Sequence, residues 1–207
     1  MALKITMFSD FVCPFCYIGF EVMLKLKPEF NIDLEWRGYQ IHPEWPAEGI
    51  PVEKARSASD MDTRQAIWKR ITAMAEAEGL EIKAPSVFTN SHAALAACEF
   101  AREKGKAEEF EARVFRAYFV EGGNIGDATL VARLGAEVGL DQTEVAEAVK
   151  SPRYAMRLKN NALAAHQRGV TGVPTFFIGE YPLVGAQSSD VVRQILQRAS
   201  ERLIATA

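Results

Sequence analysis

Cys13-Pro14-Phe15-Cys16 constrains this chain more than any other stretch. The two cysteines stand one helical turn apart, directly after the apolar run Ile5-Thr6-Met7-Phe8. They head a segment in which Tyr17, Phe20, Met23 and Leu24 recur at helical spacing. A Cys-x-x-Cys pair at a strand-to-helix junction reads as a thiol redox pair rather than as half of a metal site. Any fold the chain adopts must bring a strand, a tight loop and a helix N-terminus together at its very start.

Three regions follow from the apolar pattern. Up to about residue 40 the chain reads strand, helix, strand: residues 3–8 are short and apolar, 14–27 have helical spacing, and Ile32-Asp33-Leu34-Glu35-Trp36 alternates. His42-Pro43, Trp45-Pro46 and Gly49-Ile50-Pro51 then crowd into a stretch whose prolines predict no regular structure. Residues 60–168 are expected to be helical throughout. Their apolar stripes are Ile67, Ile71, Met74 and Ala75; then Ala94, Leu95, Cys98 and Ala101; then Phe110, Val114, Phe115, Tyr118 and Phe119; then Leu130, Val131, Leu134 and Val138. Gly105, Gly122-Gly123 and Gly139 fall where those helices would end. Strand character returns in Thr175-Phe176-Phe177-Ile178 and Leu183-Val184, around a turn at Gly179-Glu180-Tyr181-Pro182. Ser188-Ser189-Asp190 offer N-caps to a last helix with Val191, Val192, Ile195, Leu196, Ala199 and Leu203 as its apolar positions.

The order is α/β: β-α-β, a helical insert, then β-β-α. This is a thioredoxin-like fold with a large α-helical insertion. It predicts a discontinuous thioredoxin-like domain over 1–55 and 169–207, wrapped around an inserted helical domain over 56–168.

Composition narrows the function classes. At 207 residues with 48% hydrophobic and 25% charged content, the chain can bury a core without disulfide staples. A net charge of −3, with Lys and Arg scattered, gives no reason to expect a nucleic-acid partner. No stretch approaches the ~20 apolar residues of a membrane span, and nothing at the N-terminus has the build of a secretory leader. With Met1 as the native start, the expected location is cytoplasmic. Three cysteines do not make a secreted framework, so in a reducing compartment the pair is expected to be a working dithiol.

Disulfide exchange needs an exposed thiolate, a second thiol within reach, and a groove that aligns the incoming disulfide. Cys13 is expected to supply the first. The unsatisfied N–H groups and dipole of a helix N-terminus favour an anion by ~0.3–1 kcal/mol, up to about 2 when partly buried. Pro14 suits the first turn, where its missing N–H costs nothing. Cys16 lies three residues later on the same face and is assigned as the buried resolving thiol. Phe15 is expected to be exposed beside the pair, where an apolar ring can touch substrate; it brings no positive charge. Asp10 reads as a loop cap before it reads as a weak base.

The second half of the site is Gly172-Val173-Pro174-Thr175-Phe176. A proline opening a strand gives up a ladder donor. A cis Val–Pro bond would turn the Val173 backbone toward Cys13, to pair with an extended substrate; a trans Pro174 starting an edge strand is the other reading of this segment alone. The cysteine motif favours the cis form.

With both motifs in place, the chain resembles the DsbA-type thiol:disulfide oxidoreductases, and more narrowly the FrnE-like cytoplasmic branch. Further matches are Phe8-Ser9-Asp10-Phe11-Val12, Tyr17-Ile18-Gly19, Ala117-Tyr118-Phe119-Val120-Glu121-Gly122 with Asn124-Ile125, and Gly185-Ala186-Gln187. The resemblance implies a Cys13 nucleophile and a cis Pro174. It also implies a redox-active disulfide in place of a bound cofactor, and substrate proteins or small-molecule disulfides as partners. One departure is Asn90-Ser91-His92-Ala93-Ala94-Leu95, where Leu95 stands in place of the histidine that usually ends this motif in the branch, so a polar role at that position, such as lining the groove, is not carried over to this chain.

The same architecture supports glutathione-dependent isomerases and transferases, of the 2-hydroxychromene-2-carboxylate isomerase and kappa-class type. Those generally hold Ser at position 13, so the two cysteines count against that reading. Glutathione still stands as a candidate reductant, with the last helix's N-terminus near Ser189 and Asp190 as its contact. A zinc module is disfavoured because a second Cys/His pair at knuckle spacing is missing. Cys98 is expected to be a small core residue, and His42, His92 and His166 to be surface or capping groups. The aromatic face at 110–119 is either insert core or a dimer surface, so a monomer and a homodimer both fit.

Overall fold

The structure is a computed structural model that describes residues 2–54 and 61–205. In chain order its elements are β1 (Leu3–Ser9), α1 (Pro14–Phe30), β2 (Ile32–Gly38), β3 (Ile50–Pro51), α2 (Met61–Ala77), β4 (Val87–Phe88) and α3 (His92–Glu103). They continue as α4 (Ala107–Phe119), α5 (Ala128–Glu137), α6 (Gln142–Lys150), α7 (Pro152–Gln167), β5 (Thr175–Ile178), β6 (Tyr181–Val184) and α8 (Ser189–Ala205). The expected β-α-β, helical insert and β-β-α order is therefore present. The boundary placed between residues 55 and 56 lies outside the described residues.

Four strands form one mixed sheet in the order β2-β1-β5-β6. β1 runs parallel to β2, from Leu3 opposite Ile32 to Ser9 opposite Gly38, and antiparallel to β5. The two ends of the chain thus complete one sheet. Because side chains alternate along β1, Leu3, Ile5 and Met7 enter the main core with Cys16, Ile18 and Phe20 of α1. Phe8 points the other way, into a smaller cluster with Phe177, Ala165 and Val170.

α1 extends to Phe30, beyond the expected end at 27, because Pro28 sits in the last turn, where one lost hydrogen bond is tolerated. It closes at Asn31 in the left-handed conformation (φ 48°), whose N–H reaches the Lys27 carbonyl. The insert's α4 docks directly on this helix. Tyr17 stacks on Phe119 at 5.6 Å, and Phe20 and Phe11 meet Phe115 at 5.5 and 5.0 Å. Phe110, Phe115 and Phe119 are fully buried, so the aromatic face is core and not a dimer surface.

Several expectations need correction. The proline-rich stretch does hold regular structure: Ile50 and Pro51 pair with Phe88 and Val87, because a two-residue ladder can place the donor-less Pro51 without loss. Residues 60–168 are likewise not helical throughout, because β4, the partner of β3, interrupts them. Ile67 lies 47% exposed, while Ile71 and Ala75 from the same stripe are buried. On α8, Val192 and Leu196 turn inward and Val191 turns out; the Leu203 side chain lies outside the described residues. Leu95, which stands where the branch has histidine, is a core residue. It is fully buried with its Cδ2 against Gly38, close enough that a Cβ on that glycine would sit 2.8 Å away.

Candidate active site

The motif loop is built by Asp10. Its Oδ1 accepts from the Val12 N–H at 3.4 Å and its Oδ2 from the Ile41 N–H at 2.7 Å, while its carbonyl accepts from the Cys13 N–H at 3.2 Å. Asp10 is fully buried. Burial pushes its carboxyl up to about 6, against the pull of the Ile41 N–H, the Ser91 hydroxyl and the Val12 N–H. It is a loop cap, and it also ties the segment after β2 to the motif. Asn90 pins that same segment: its Nδ2 donates to the Pro43 and Trp45 carbonyls, and its Oδ1 accepts from Gln40 Nε2 and the His92 N–H.

Cys13 takes the N-cap position of α1 with extended backbone (φ −93°, ψ 115°), and its carbonyl accepts from the Cys16 and Tyr17 N–H groups. Pro14 occupies the first turn, as its ring requires. Both cysteines are free. The sequence predicts an exposed Cys13, whereas the structure leaves it only 6% exposed. The reason is tertiary: its Sγ donates to the Val173 carbonyl at 3.6 Å, so the segment before β5 closes over it. Cys16 is fully buried beneath. Burial pushes its thiol well up, and the neighbouring Cys13 adds to this, while the Ser9 hydroxyl and the Asp10 N–H act in the opposite direction.

The Val173–Pro174 bond is cis. Pro174 is buried and its carbonyl accepts from the Gly185 N–H at 2.8 Å, which ties the end of β6 to the site. Gly19 allows α1 this close to β5: a Cβ there would lie 2.9 Å from the Phe176 ring and 3.4 Å from Pro174 Cγ. Phe15 is half-buried rather than exposed, and the Arg70 guanidinium of α2 lies over its ring, 5.9 Å from the centroid. A positive charge therefore reaches the motif from outside it.

The suggested glutathione contact at Ser189 and Asp190 is already filled. The Ser189 N–H donates to Glu78 Oε1 at 2.7 Å, and Glu78 Oε2 pairs with Lys25 Nζ at 3.0 Å. Asp190 pairs with Arg193. His42 stacks on Trp45 at 3.7 Å with Nδ1 against Glu44, and no histidine hydrogen-bonds to either motif cysteine. Cys98 is buried in the core, with its Sγ donating to Glu111 Oε1 at 3.4 Å. Sequence reasoning missed Arg70, Asn90 and Glu78. Each acts across a long stretch of chain, and only Asn90 stood in a motif that could have flagged it. Among the described residues no helix is long and apolar enough to cross a membrane.

Against known proteins, a model of the DSBA-like thioredoxin domain matches residues 4–197. The chain is 34% identical over 204 residues to the uncharacterised protein YwbO of Bacillus subtilis, covering 95% of this chain and 96% of that one. It is 25% identical over 201 residues to the 2-hydroxychromene-2-carboxylate isomerase of Sphingobium xenophagum, covering 95% and 99%. Among solved structures, a probable DsbA oxidoreductase of Streptomyces coelicolor superposes with a TM-score of 0.82 at 26% identity, over 96% of this chain and 90% of that one. The cytosolic disulfide reductase DsbM of Pseudomonas aeruginosa, solved with glutathione, shares the fold at TM-score 0.71 and 18% identity, over 96% and 100%.

Proposed function

The chain belongs to the DSBA-like thioredoxin domain family, and on that premise we propose that it is a cytoplasmic thiol:disulfide oxidoreductase working through Cys13 and Cys16. The observation that carries this reading is the recessed Cys13 sulfur, 3.6 Å from the Val173 carbonyl, with the buried Cys16 one turn behind it. The Cys13 thiolate attacks one sulfur of a substrate disulfide; that S–S bond breaks and the other half leaves as a thiolate. Cys16 then attacks Cys13, forms the 13–16 bond and expels the remaining substrate thiolate. Two electrons pass to the substrate, and the reverse sequence oxidises a dithiol.

Pro14, Phe15 and Val173 face the substrate in this reading, with the buried Pro174 holding the bend beneath them and Val173 offering its carbonyl to an extended backbone. Partners are substrate proteins or small-molecule disulfides. Glutathione is a suitable thiol to reduce the 13–16 bond, a role supported by the similarity to DsbM, whose name also supports a cytosolic location. The isomerase activity named for one relative is disfavoured here because a second sulfur at position 16 serves exchange and adds nothing to activating a bound thiol.

The test is a pair of variants. Cys16→Ser is expected to accumulate mixed disulfides with substrate, and Cys13→Ser to abolish exchange in an insulin-reduction assay. Equal behaviour of the two would overturn the assignment of roles. Equilibration in glutathione buffers, following the 13/16 bond, then sets the direction.

A further inference from the structure

Ser9 ends β1 on the same face as Leu3, Ile5 and Met7, the face on which α1 and Cys16 pack. It is fully buried, and among the described residues its Oγ has no hydrogen-bond partner in the dithiol state. A buried hydroxyl left so costs ~1–3 kcal/mol, and the backbone of Ser9 needs nothing from it: the Ser9 carbonyl already accepts from the Tyr39 N–H at 2.7 Å. Alanine would fill the position more cheaply unless the hydroxyl acts at another stage of the cycle.

The stage is set by what lies beside it. Cys16 is fully buried, so the anion it becomes during exchange cannot be solvated by bulk water. Burial holds the thiol in its neutral form, while the Ser9 hydroxyl and the Asp10 N–H are the groups that favour the charged form. We propose that the Ser9 hydroxyl is the hydrogen-bond donor that receives the Cys16 thiolate, making Ser9 a positioning residue for the buried half of the dithiol. This rests on the exchange reading above. When a substrate thiolate attacks Cys13 in the oxidised protein, the 13–16 bond breaks and its electron pair leaves on Cys16, where Ser9 donates to it. In the other direction the same donor holds the Cys16 thiolate aimed at Cys13 of the mixed disulfide, which it closes with loss of the substrate thiolate. A charge-assisted bond of this kind is stronger than a neutral one.

The experiment separates the two sulfurs in time. Reduced protein mixed with 5,5′-dithiobis(2-nitrobenzoate) releases one thionitrobenzoate as Cys13 attacks and a second as Cys16 resolves the mixed disulfide. In Ser9→Ala the first phase is expected within about twofold of wild type and the second about tenfold slower, equivalent to ~1.4 kcal/mol. Ser9→Thr, which restores the hydroxyl, is expected to recover the second phase. Unchanged second-phase kinetics in Ser9→Ala, or equal slowing of both phases, would overturn the proposal. Wild-type protein that releases only one equivalent would instead sink the exchange reading itself.

Discussion

The Cys13 Sγ and the Val173 carbonyl oxygen lie 3.6 Å apart, although 160 positions separate the two residues in the chain. The thiol's partner is main chain, so the Val173 side chain contributes little to the attack. Val173→Ala is expected to leave the second-order rate with a peptide disulfide within about threefold. Once Cys13 loses its proton the carbonyl is free for another donor, such as a substrate amide. N-methylating the amide beside the substrate cysteine is therefore expected to slow the reaction about fivefold. Stopped-flow rates of wild type and Val173→Ala with the methylated and unmethylated peptides check both expectations; equal rates for the two peptides would show that Val173 O does not pair with substrate.

Arg70 gives the site a charge that its own motif lacks. Its guanidinium lies over the Phe15 ring, and no carboxylate pairs with it among the described residues. At an exposed position such a charge acts mainly on approach, and salt screens it. Arg70→Met is expected to slow attack on an anionic disulfide about threefold at low ionic strength. The rate with an uncharged disulfide should stay unchanged, and the difference should fade in 0.5 M salt, on the order of a 4 Å Debye length. A matched loss with both disulfides would indicate lost packing on Phe15 rather than lost charge.

Much of this arrangement is legible in the sequence, for reasons that are local. The alternation of β1 and β2, the helical spacing after Cys16, and a proline opening a strand each depend on neighbours a few residues away. The parts that were not legible depend on distant partners. Ile67 carries the period of its helix yet turns outward, because α2 docks through Ile71 and Ala75. Cys13 is recessed because of residue 173, and Phe15 is half-covered from α2. The N-terminus of α8 has the residues of an open anion site, yet Glu78 fills it. Apolar periodicity shows which face is buried but not what stands opposite.

That last contact predicts a stability effect. Glu78 joins three helices: it follows α2, caps the Ser189 N–H of α8 and pairs with Lys25 of α1. Burial pushes its carboxyl up, but the Ser189 N–H and the Lys25 ammonium outweigh burial and hold it below the ordinary carboxylate range. A carboxyl lowered on folding stabilises above its unfolded value of 4.5, and that stabilisation is lost as pH falls through the lower, folded one. Glu78→Ala is expected to cost ~1–2 kcal/mol near neutral pH, the usual cost of a lost helix cap. The gap to wild type should narrow in acid. Denaturant melts at pH 7 and pH 4 test this, and a gap that stays constant would remove Glu78's charge from the account.

Glu111 predicts the opposite sign. It is buried on α4, where burial pushes its carboxyl from 4.5 up to about 7, while Arg102 and the Cys98 thiol pull the other way. Between those two values the folded chain keeps a proton that the unfolded chain releases, so stability falls as pH rises through the window. Glu111→Gln fixes the neutral form and removes the dependence. The variant is expected to match wild type near pH 4.5 and to exceed it by at most ~3 kcal/mol at pH 8, the equivalent of the shift. The Cys98 contact should survive, because the Gln carbonyl still accepts from the thiol. Urea midpoints across pH 5 to 8 would show the two curves separating as pH rises. Parallel curves would mean that Glu111 is already ionised in the folded chain at low pH, held so by Arg102.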